Sequence, residues 1–580
     1  MINKFRPILA KQEYIFIYLA AFFSWIFIFY NMQTGFKSCM DEAFFILGLN
    51  PEQNLGIQHT QFFQIVRFIF RVFSIEPTII HSRIAAYICI IFTLFFFSCT
   101  SYYWLNKKGK IKNNLGLYVS LVFLCGIFIF FSGYEVSLTF NHLLVFFVTC
   151  QFSFYLLWDV SDNMIIRQLC IYLSGFFSFL SIVNYFPSGI LVSLAISLLI
   201  LQKRNLYWKN KLLSLFIFLL GLLSCIIVYN YVIYPVKDAL SDIIINIRNP
   251  AFGTGGYNLV SYMNLVVNYA GVFMLLLFCC IGISSLYSIN QRQKQFNKKS
   301  VTVGIFIAVL ILSILTRKLF KFSILLIPVM TSFLFYLSQT SGINWHDKKR
   351  IGIVIQGAIF LFFPVIGVMG TNVIIIYKLT YLSFMWVFIL AGYLFQIKDR
   401  LVYKSMLYLT VLLALGFGFF GGLYIYRYFR GNPFNSKYKV ENNRQFSSIK
   451  LKKIQIDYFQ SVEDILRENG FNPETDRIFT FDYDYATLLY LDVTNYGGLM
   501  HQVENMPAYR SVFFSQANAP DYIIVNEWDR GILKNMLKTE DFQWDFPAGY
   551  KEYKLGIPEN EEINLTGNRR LFVKNRTNTE

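Results

Sequence analysis

Two adjacent carboxylates, Asp41 and Glu42, follow the first apolar stretch of the chain, in SCMDEAFFILGL (38–49). A carboxylate can take a proton from a hydroxyl group within hydrogen-bond reach and so act as a general base. Acidic residues also favour the first turn of a helix, where they need no chemical role. The pair therefore marks either a helix start or a catalytic acid pair, and its surroundings must decide.

Basic residues stand where later apolar segments begin or end. Arg83 lies near the start of the second apolar segment, and Lys318 and Lys321 lie in the turn RKLFK (317–321). Fixed cations can stabilise negative charge that develops on a phosphate, although each can also anchor its helix at the lipid headgroups. Other candidates lie in the connections, where a solvated loop is the alternative: His59, Glu135, Lys237, Asp238 and Asp242.

The composition indicates a membrane protein. Of the 580 residues, 55% are hydrophobic and only 15% are charged, and the mean hydropathy is +0.47. Apolar runs recur with lengths near the roughly 20 residues that cross a bilayer as a helix. We therefore predict a polytopic α-helical membrane protein with about 13 transmembrane helices. They are expected at 14–30, 82–103, 115–132, 138–158, 168–184, 186–201, 212–231, 258–282, 301–316, 322–339, 351–369, 379–397 and 405–425.

Charge asymmetry predicts the orientation of the chain. Lys and Arg concentrate in alternate connections, such as NKKGKIK and QRQKQFNKK, and this excess marks the cytoplasmic side. The amino terminus is then cytoplasmic, and the acidic pair is outside. The net charge of +18 has the same origin, because no contiguous basic and aromatic face predicts binding to nucleic acid. We expect a multi-pass protein of a bacterial cytoplasmic membrane.

The last part of the chain differs in character. Residues 431–580 are polar and contain no spanning run, whereas residues 1–430 hold all the predicted spans. SVEDILREN (461–469) predicts a helix with Ser461 as its cap. RIFTFDY, DYIIVNE and RRLFVKN predict strands. We therefore predict a small α/β domain at 431–580, which an odd number of spans would place outside the cell.

The order of these motifs resembles the GT-C superfamily of integral-membrane glycosyltransferases, which includes the protein O-mannosyltransferases and the lipid A aminoarabinose transferases. In that superfamily an Asp-Glu pair follows the first helix, as Asp41 and Glu42 do here. A Gly-x-x-His element comes next, here Gly56 and His59, and an arginine then opens the second helix, here Arg83. A transmembrane region followed by an exported α/β domain is also similar to that group.

A later segment extends the resemblance. LTRKLFKFSILLIPVMTSFLFY (315–336) is similar to a family segment in which a basic residue faces the lipid phosphate and a proline breaks the next helix. Lys318, Lys321 and Pro328 take those places. The chain departs from the family where Asn141 replaces an acid, so Glu135 would be the carboxylate of that outer turn. It also departs where TQF (60–62) replaces the usual Pro-Pro-Leu.

The resemblance implies a GT-C fold and a reaction. A sugar would move from a polyprenyl-phosphate donor to a hydroxyl group of a glycan, lipid or protein on the outer face of the membrane, with inversion. Asp41 would act as base with Glu42 beside it, and Arg83, Lys318 and Lys321 would bind the donor phosphate. Partners would be this donor, the acceptor and membrane lipids. No cofactor is indicated: a divalent metal would suit the chemistry, but no Cys/His spacing predicts one.

Two other classes of function stay open. A transporter or flippase would show internal repeats and charges near the centres of its spans, whereas the charges here avoid the predicted span centres. A lipid-linked oligosaccharide polymerase or ligase shares the donor chemistry. That class is expected to carry a large catalytic loop between late spans, not an acidic pair after the first.

Overall fold

The structure is a computed structural model of the chain. It describes these residues: 11–36, 41–55, 60–110, 115–132, 136–203, 206–248, 259–293, 297–319, 323–339, 348–369, 379–394, 400–420, 436–480, 484–499, 519–525, 546–555 and 569–575.

Helices dominate the chain up to residue 420. Their bounds are α1 Lys11–Asn31, α2 Asp41–Leu49, α3 Phe62–Val72, α4 Ile79–Lys107, α5 Leu115–Gly126, α6 Phe128–Ser132, α7 Phe140–Val160, α8 Met164–Asn184, α9 Phe186–Gln202, α10 Trp208–Val228, α11 Val236–Arg248, α12 Leu259–Gln293, α13 Lys298–Leu319, α14 Leu326–Gln339, α15 Lys348–Ile366, α16 Trp386–Leu394 and α17 Arg400–Leu413. π-Helical turns extend α10 over Tyr229–Ile233 and α17 over Ala414–Phe420.

Each of the thirteen predicted apolar runs coincides with an apolar helix in the described part of the chain. Eight of these helices are long and apolar enough to cross a membrane. In the other five, the apolar helical stretch among the described residues has 10–17 residues, and 17 helical residues span only roughly 26 Å. That is less than the hydrocarbon thickness of about 30 Å. The polytopic helical fold is therefore confirmed, whereas the count of thirteen crossings is not.

Glycines set the contact between α8 and α10. A Cβ atom on Gly175 would lie 1.9 Å from the carbonyl oxygen of Phe218, and one on Gly221 would lie 2.0 Å from that of Tyr172. Small residues let two apolar helices approach closely where no hydrophobic effect drives them together. The two helices therefore meet backbone to backbone at reciprocal glycines.

Strands appear only after residue 436 in the described residues. Their bounds are β1 Tyr438–Lys439, β2 Lys450–Leu451, β3 Ile478–Thr480, β4 Tyr522–Val525, β5 Tyr550–Leu555 and β6 Arg569–Lys574; the helices α18 Lys453–Glu468 and α19 Tyr485–Leu491 lie among them. β1 and β2 form an antiparallel pair. The other four form a sheet of order β3-β4-β6-β5, in which only β3 and β4 are parallel.

The three predicted strands are confirmed as β3, β4 and β6, whereas β5 was not predicted. The cap was wrong, because Ser461 lies inside α18 and its hydroxyl donates to the carbonyl of Tyr458, 2.8 Å away. Ile456, Phe459 and Val462 repeat at helical spacing through this stretch. This apolar face carries the helix back to Lys453.

We predict that Gly221→Val lowers the free energy of unfolding by about 1–3 kcal/mol, because the added atoms overpack the contact between α8 and α10. Gly282→Val in α12 is the matched control, since a Cβ there meets nothing within 4 Å. Thermal unfolding of the two purified variants in detergent measures the difference. Equal melting temperatures would contradict the close approach of the two helices.

Candidate active site

Helix α2 begins at the acidic pair. Asp41 is its first residue and Glu42 its second, at the positive end of the helix dipole, where carboxylates are favoured. The Asp41 side chain lies outside what the structure describes, whereas that of Glu42 is buried. The contacts of Glu42 therefore define the surroundings of the first turn of α2.

Glu42 and Arg83 form a buried, bidentate ion pair. Arg83 Nε lies 2.7 Å from Glu42 Oε1, and Arg83 Nη2 lies 2.9 Å from Oε2. Their side chains are 3% and 0% exposed. Ser137 Oγ donates a further hydrogen bond of 2.5 Å to Oε1. Paired, fork-shaped geometry of this kind offsets the cost of removing both charges from water.

The rest of the Arg83 guanidinium is bonded to the backbone that precedes α2. Nη1 donates to the carbonyl of Met32 at 2.5 Å, and Nη2 donates to that of Gly35 at 2.8 Å. Arg83 lies in the first turns of α4. It therefore ties the end of the first span to both α4 and α2, and protein acceptors already occupy the groups predicted to bind a donor phosphate.

The other end of α2 is held by Arg67 of α3. Its Nε donates to the carbonyl of Gly48 at 2.8 Å, and its Nη2 donates to those of Asn50 and Gln53 at 2.6 and 2.9 Å. These bonds satisfy carbonyls that a helix end leaves without intrahelical partners. Burial lowers the pKa of Arg67 to about 10, so the guanidinium stays charged at neutral pH.

Aromatic side chains fill the space between α2 and α3. The Phe45 ring lies 5.4 Å from that of Phe62, and the Phe44 ring lies 5.5 Å from that of Phe63, both in edge contact. A Cβ on Gly48 would lie 2.1 Å from the Phe63 ring. Helix α2 is thus packed along its length as well as bonded at both ends.

A second acid, Asp242 of α11, lies beside the start of α3. Gln61 Nε2 donates to Asp242 Oδ2 at 3.5 Å, and the hydroxyl of Tyr229 donates to Gln61 Oε1 at 3.4 Å. Burial raises the pKa of Asp242 and the charge of Asp238 adds to this rise, while the hydrogen bond from Gln61 opposes it. The pKa of this half-buried carboxyl is therefore above that of an aspartate in water.

The carboxyl-terminal region docks directly on the segment around α2. Its Lys450 exchanges backbone hydrogen bonds of 2.8 Å with Gln33 and Gly35, immediately before α2. After α2, the Gln53 side chain accepts from the backbone N–H of Asn495 at 2.8 Å. Buried apolar residues of the helices and of this region form one continuous cluster. The region therefore contacts the chain both before and after α2.

A charged contact joins the same region to the start of α4. Arg444 pairs with Glu76, which lies just before α4, and with Asp492 at 3.1 Å. All three side chains are about half exposed, so solvent screens the contact. Buried apolar and backbone contacts therefore contribute most to the docking.

The predicted site residues fall into three groups. Glu42 and Arg83 are brought together, and Asp41 adjoins them in sequence. Lys318 is exposed in the last turn of α13, a helix that packs on α12, α14 and α17, and Asp238 is exposed in the first turn of α11. Three candidates lie outside the described residues: His59, Glu135 and Lys321. In the described part, no three His, Cys, Asp or Glu residues are grouped to hold a metal ion.

Sequence reasoning missed several residues that position this site. Arg67 had a usable signal: it is a single charge within the apolar stretch FFQIVRF, where a buried cation needs acceptors. Gln61 and Ser137 had none, because their partners are 181 and 95 residues away in sequence.

Comparison with family models and with curated proteins gives no match. Among solved structures, the crystal structure of ArnT from Cupriavidus metallidurans bound to undecaprenyl phosphate is 13% identical, with a TM-score of 0.41, over 97% of this chain and 98% of that one. An Archaeoglobus fulgidus oligosaccharyltransferase complexed with zinc and sulfate is 11% identical, with a TM-score of 0.46, over 93% and 72%. Both belong to the superfamily that the motifs resemble. At TM-scores below 0.5, neither carries an argument about the reaction of this chain.

We predict that Glu42→Gln lowers the free energy of unfolding by about 3–5 kcal/mol, because it leaves the Arg83 charge buried without its partner. The double variant Glu42→Gln with Arg83→Met should be less destabilised than the single one, since no unpaired charge remains. Thermal unfolding in detergent measures both.

The control for this prediction is Arg467→Gln in α18. Arg467 pairs with Glu463 at 2.9 Å, and its side chain is 72% exposed, so its loss should cost no more than about 1 kcal/mol. A Glu42 variant as stable as this control would refute the structural role of the buried pair.

Proposed function

We propose that the protein is a membrane glycosyltransferase that moves a sugar from a polyprenyl-phosphate donor to a hydroxyl acceptor at the outer face of the membrane. The main support for this proposal is that α2 is held in place at both ends. The buried Glu42–Arg83 pair fixes its amino-terminal turn, and Arg67 fixes its last turn. Asp41, the first residue of that helix, is the catalytic base in this proposal.

The proposed step is a single displacement. The acceptor hydroxyl gives its proton to the Asp41 carboxylate as its oxygen attacks the anomeric carbon. The bond between that carbon and the phosphate oxygen breaks, and the lipid phosphate leaves with the electron pair. Attack opposite to the leaving group inverts the configuration at the sugar carbon. A base on a rigid helix has the fixed orientation that such a step needs.

Glu42 and Arg83 are positioning residues in this scheme. Both oxygens of Glu42 already accept hydrogen bonds from Arg83, and one of them also accepts a bond from Ser137. A carboxylate that is saturated in this way is a poor proton acceptor. We therefore assign the donor phosphate to Lys318 and Lys321, whose cations can offset the charge that develops on the leaving group. His59 and Glu135 stay predicted site residues without an assigned role.

The acceptor would enter between the carboxyl-terminal region and α11. That region covers α2 through Lys450 and Asn495. Asp242 lies beside the start of α3, bonded to Gln61, and Asp238 is exposed on the same helix as Asp242. Two carboxylates along this route favour an acceptor rich in hydroxyl groups, because each can accept hydrogen bonds from them.

We predict that Asp41→Asn lowers sugar transfer by about 100-fold to 10,000-fold, since the amide cannot take the proton. The assay uses membranes containing the full-length protein and a panel of radiolabelled undecaprenyl-phosphate monosaccharides. Glu52→Gln is the matched control, because Glu52 is an exposed acid of the same outer segment.

Three outcomes of this assay would change the proposal. Transfer retained by the Asp41 variant removes the assigned base. No transfer from any donor of the panel by the unmodified protein removes the donor class. Transfer from a diphosphate-linked oligosaccharide, added as a further donor, and from no monosaccharide of the panel favours the polymerase or ligase alternative.

We predict a pH signature for Asp242. Its carboxyl releases its proton at higher pH in the folded state than in the unfolded state, because its pKa is raised on folding. The contribution of this group to stability is therefore lost as the pH rises from about 4 through the raised pKa. Asp242→Asn removes that loss, so its melting temperature should exceed that of the unmodified protein above this interval and equal it below.

The matched control is Asp238→Asn, an exposed acid one turn earlier on α11. This variant should keep most of the pH dependence. Melting temperatures measured between pH 4 and 8 distinguish the two. Parallel curves for Asp242→Asn and the unmodified protein would contradict the buried setting of Asp242.

A further inference from the structure

A cavity of about 480 Å³ lies at the opposite end of α4 from the Glu42–Arg83 pair. Arg83 stands near the start of this helix, and Trp104, which lines the cavity, stands 21 residues later. At 1.5 Å per residue the two are roughly 32 Å apart along the helix axis. The cavity is therefore separate from the candidate active site, and charge asymmetry predicts that it opens on the cytoplasmic side.

The ends of several helices surround this cavity. They are the carboxyl-terminal parts of α4, α7, α9, α14 and α16, joined by the middle of α15. Its volume is within the range of about 300–1,000 Å³ that is typical of sites for small ligands. Aromatic rings of Tyr155, Phe360, Phe388 and Tyr393 line much of the wall.

Cations outnumber acids in this wall. Asp159 is the carboxylate that lines the cavity, and it pairs with both Lys108 at 3.0 Å and Lys203 at 2.9 Å. The indole N–H of Trp104 donates a further bond of 2.8 Å to it. Asp159 is thus fully engaged, and two lysines share its one negative charge.

A third lysine, Lys110, faces the cavity between two aromatic rings. Its Nζ lies 4.8 Å from the ring centre of Tyr393 and 5.6 Å from that of Trp104. No carboxylate pairs with it among the described residues. Burial, with the nearby charge of Lys108, lowers its pKa to about 8. With a pKa of about 8, Lys110 is mostly protonated at neutral pH and adds a positive charge to this wall.

The amide of Gln202 adds a donor without a partner. Its Nε2 is buried and makes no hydrogen bond to any of the described residues, and Gln202 lines the same cavity. Buried polar groups in native proteins are nearly always bonded. Lysines near helix carboxyl termini are explained by the helix dipole and by topology. Those effects explain exposed lysines such as Lys107, but not a buried ammonium that faces a cavity between the rings of Trp104 and Tyr393.

We propose that this cavity binds a phosphate-bearing anion, with Lys110 as its principal contact and Lys108, Lys203 and Gln202 as further donors. The rings of Trp104 and Tyr393 would pack against the organic part of the ligand. Basic pockets between membrane helices on the cytoplasmic side bind anionic lipid headgroups. A soluble phosphate ester offers the same chemistry, and the experiment separates the two sources.

The test uses the purified full-length protein after removal of bound lipid. The probes are phosphatidylglycerol, phosphatidylcholine and glycerol 1-phosphate, and binding is measured by native mass spectrometry and by the rise in melting temperature. We expect phosphatidylglycerol or glycerol 1-phosphate to bind and phosphatidylcholine to bind more weakly. Phosphatidylglycerol alone identifies a lipid headgroup, whereas binding of glycerol 1-phosphate identifies a soluble ester.

Lys110→Gln should weaken the binding by about tenfold or more, because one charge-assisted contact is lost. Lys110→Arg should retain it. Lys107→Gln is the matched control, since Lys107 lies outside the cavity and pairs with the exposed Asp162 at 3.0 Å. Without ligand, Lys110→Gln should melt no lower than the unmodified protein, because it removes a buried charge that has no counter-charge. Equal binding by Lys110→Gln and the unmodified protein, or no binding of any phosphate probe, overturns the proposal.

Discussion

The buried ion pair between Glu42 and Arg83 is the constraint on which the arrangement around α2 depends. It joins the end of the first span, the start of α2 and the start of α4 in one set of hydrogen bonds. Removing one partner of such a pair is strongly destabilising, because the remaining charge is buried away from water without a counter-charge. The position of Asp41 therefore follows from a neighbour whose own role is structural.

The carboxyl-terminal region also helps to hold α2 in place. It contacts the chain before α2 through Lys450 and after α2 through Asn495, and its apolar residues continue the core of the helices. Docking of this kind couples the stability of α2 to the folding of a region some 400 residues later in sequence. A region attached only by a linker would leave α2 exposed, and the segment between the first apolar helix and α4 would lose much of its packing.

The sequence predicted the local features of the fold and few of its long-range contacts. Apolar periodicity located all thirteen apolar helices, including the break at Tyr185 between α8 and α9, because length and turn residues encode such features locally. Pairings such as Gln61 with Asp242 depend on how distant helices pack, and no local pattern encodes that. The pairing of Arg83 with Glu42, 41 residues apart in sequence, is a second contact of this kind.

The two ends of α4 use charge in opposite ways. At its start, Arg83 is matched by Glu42 and by backbone carbonyls, so the charge is neutralised inside the fold. At its end, Lys108 and Lys203 share one carboxylate, and Lys110 lies between rings. A matched charge fixes geometry, whereas an excess of positive charge around a cavity attracts anions. By this argument the same helix supports a rigid site at one end and an anion-binding site at the other.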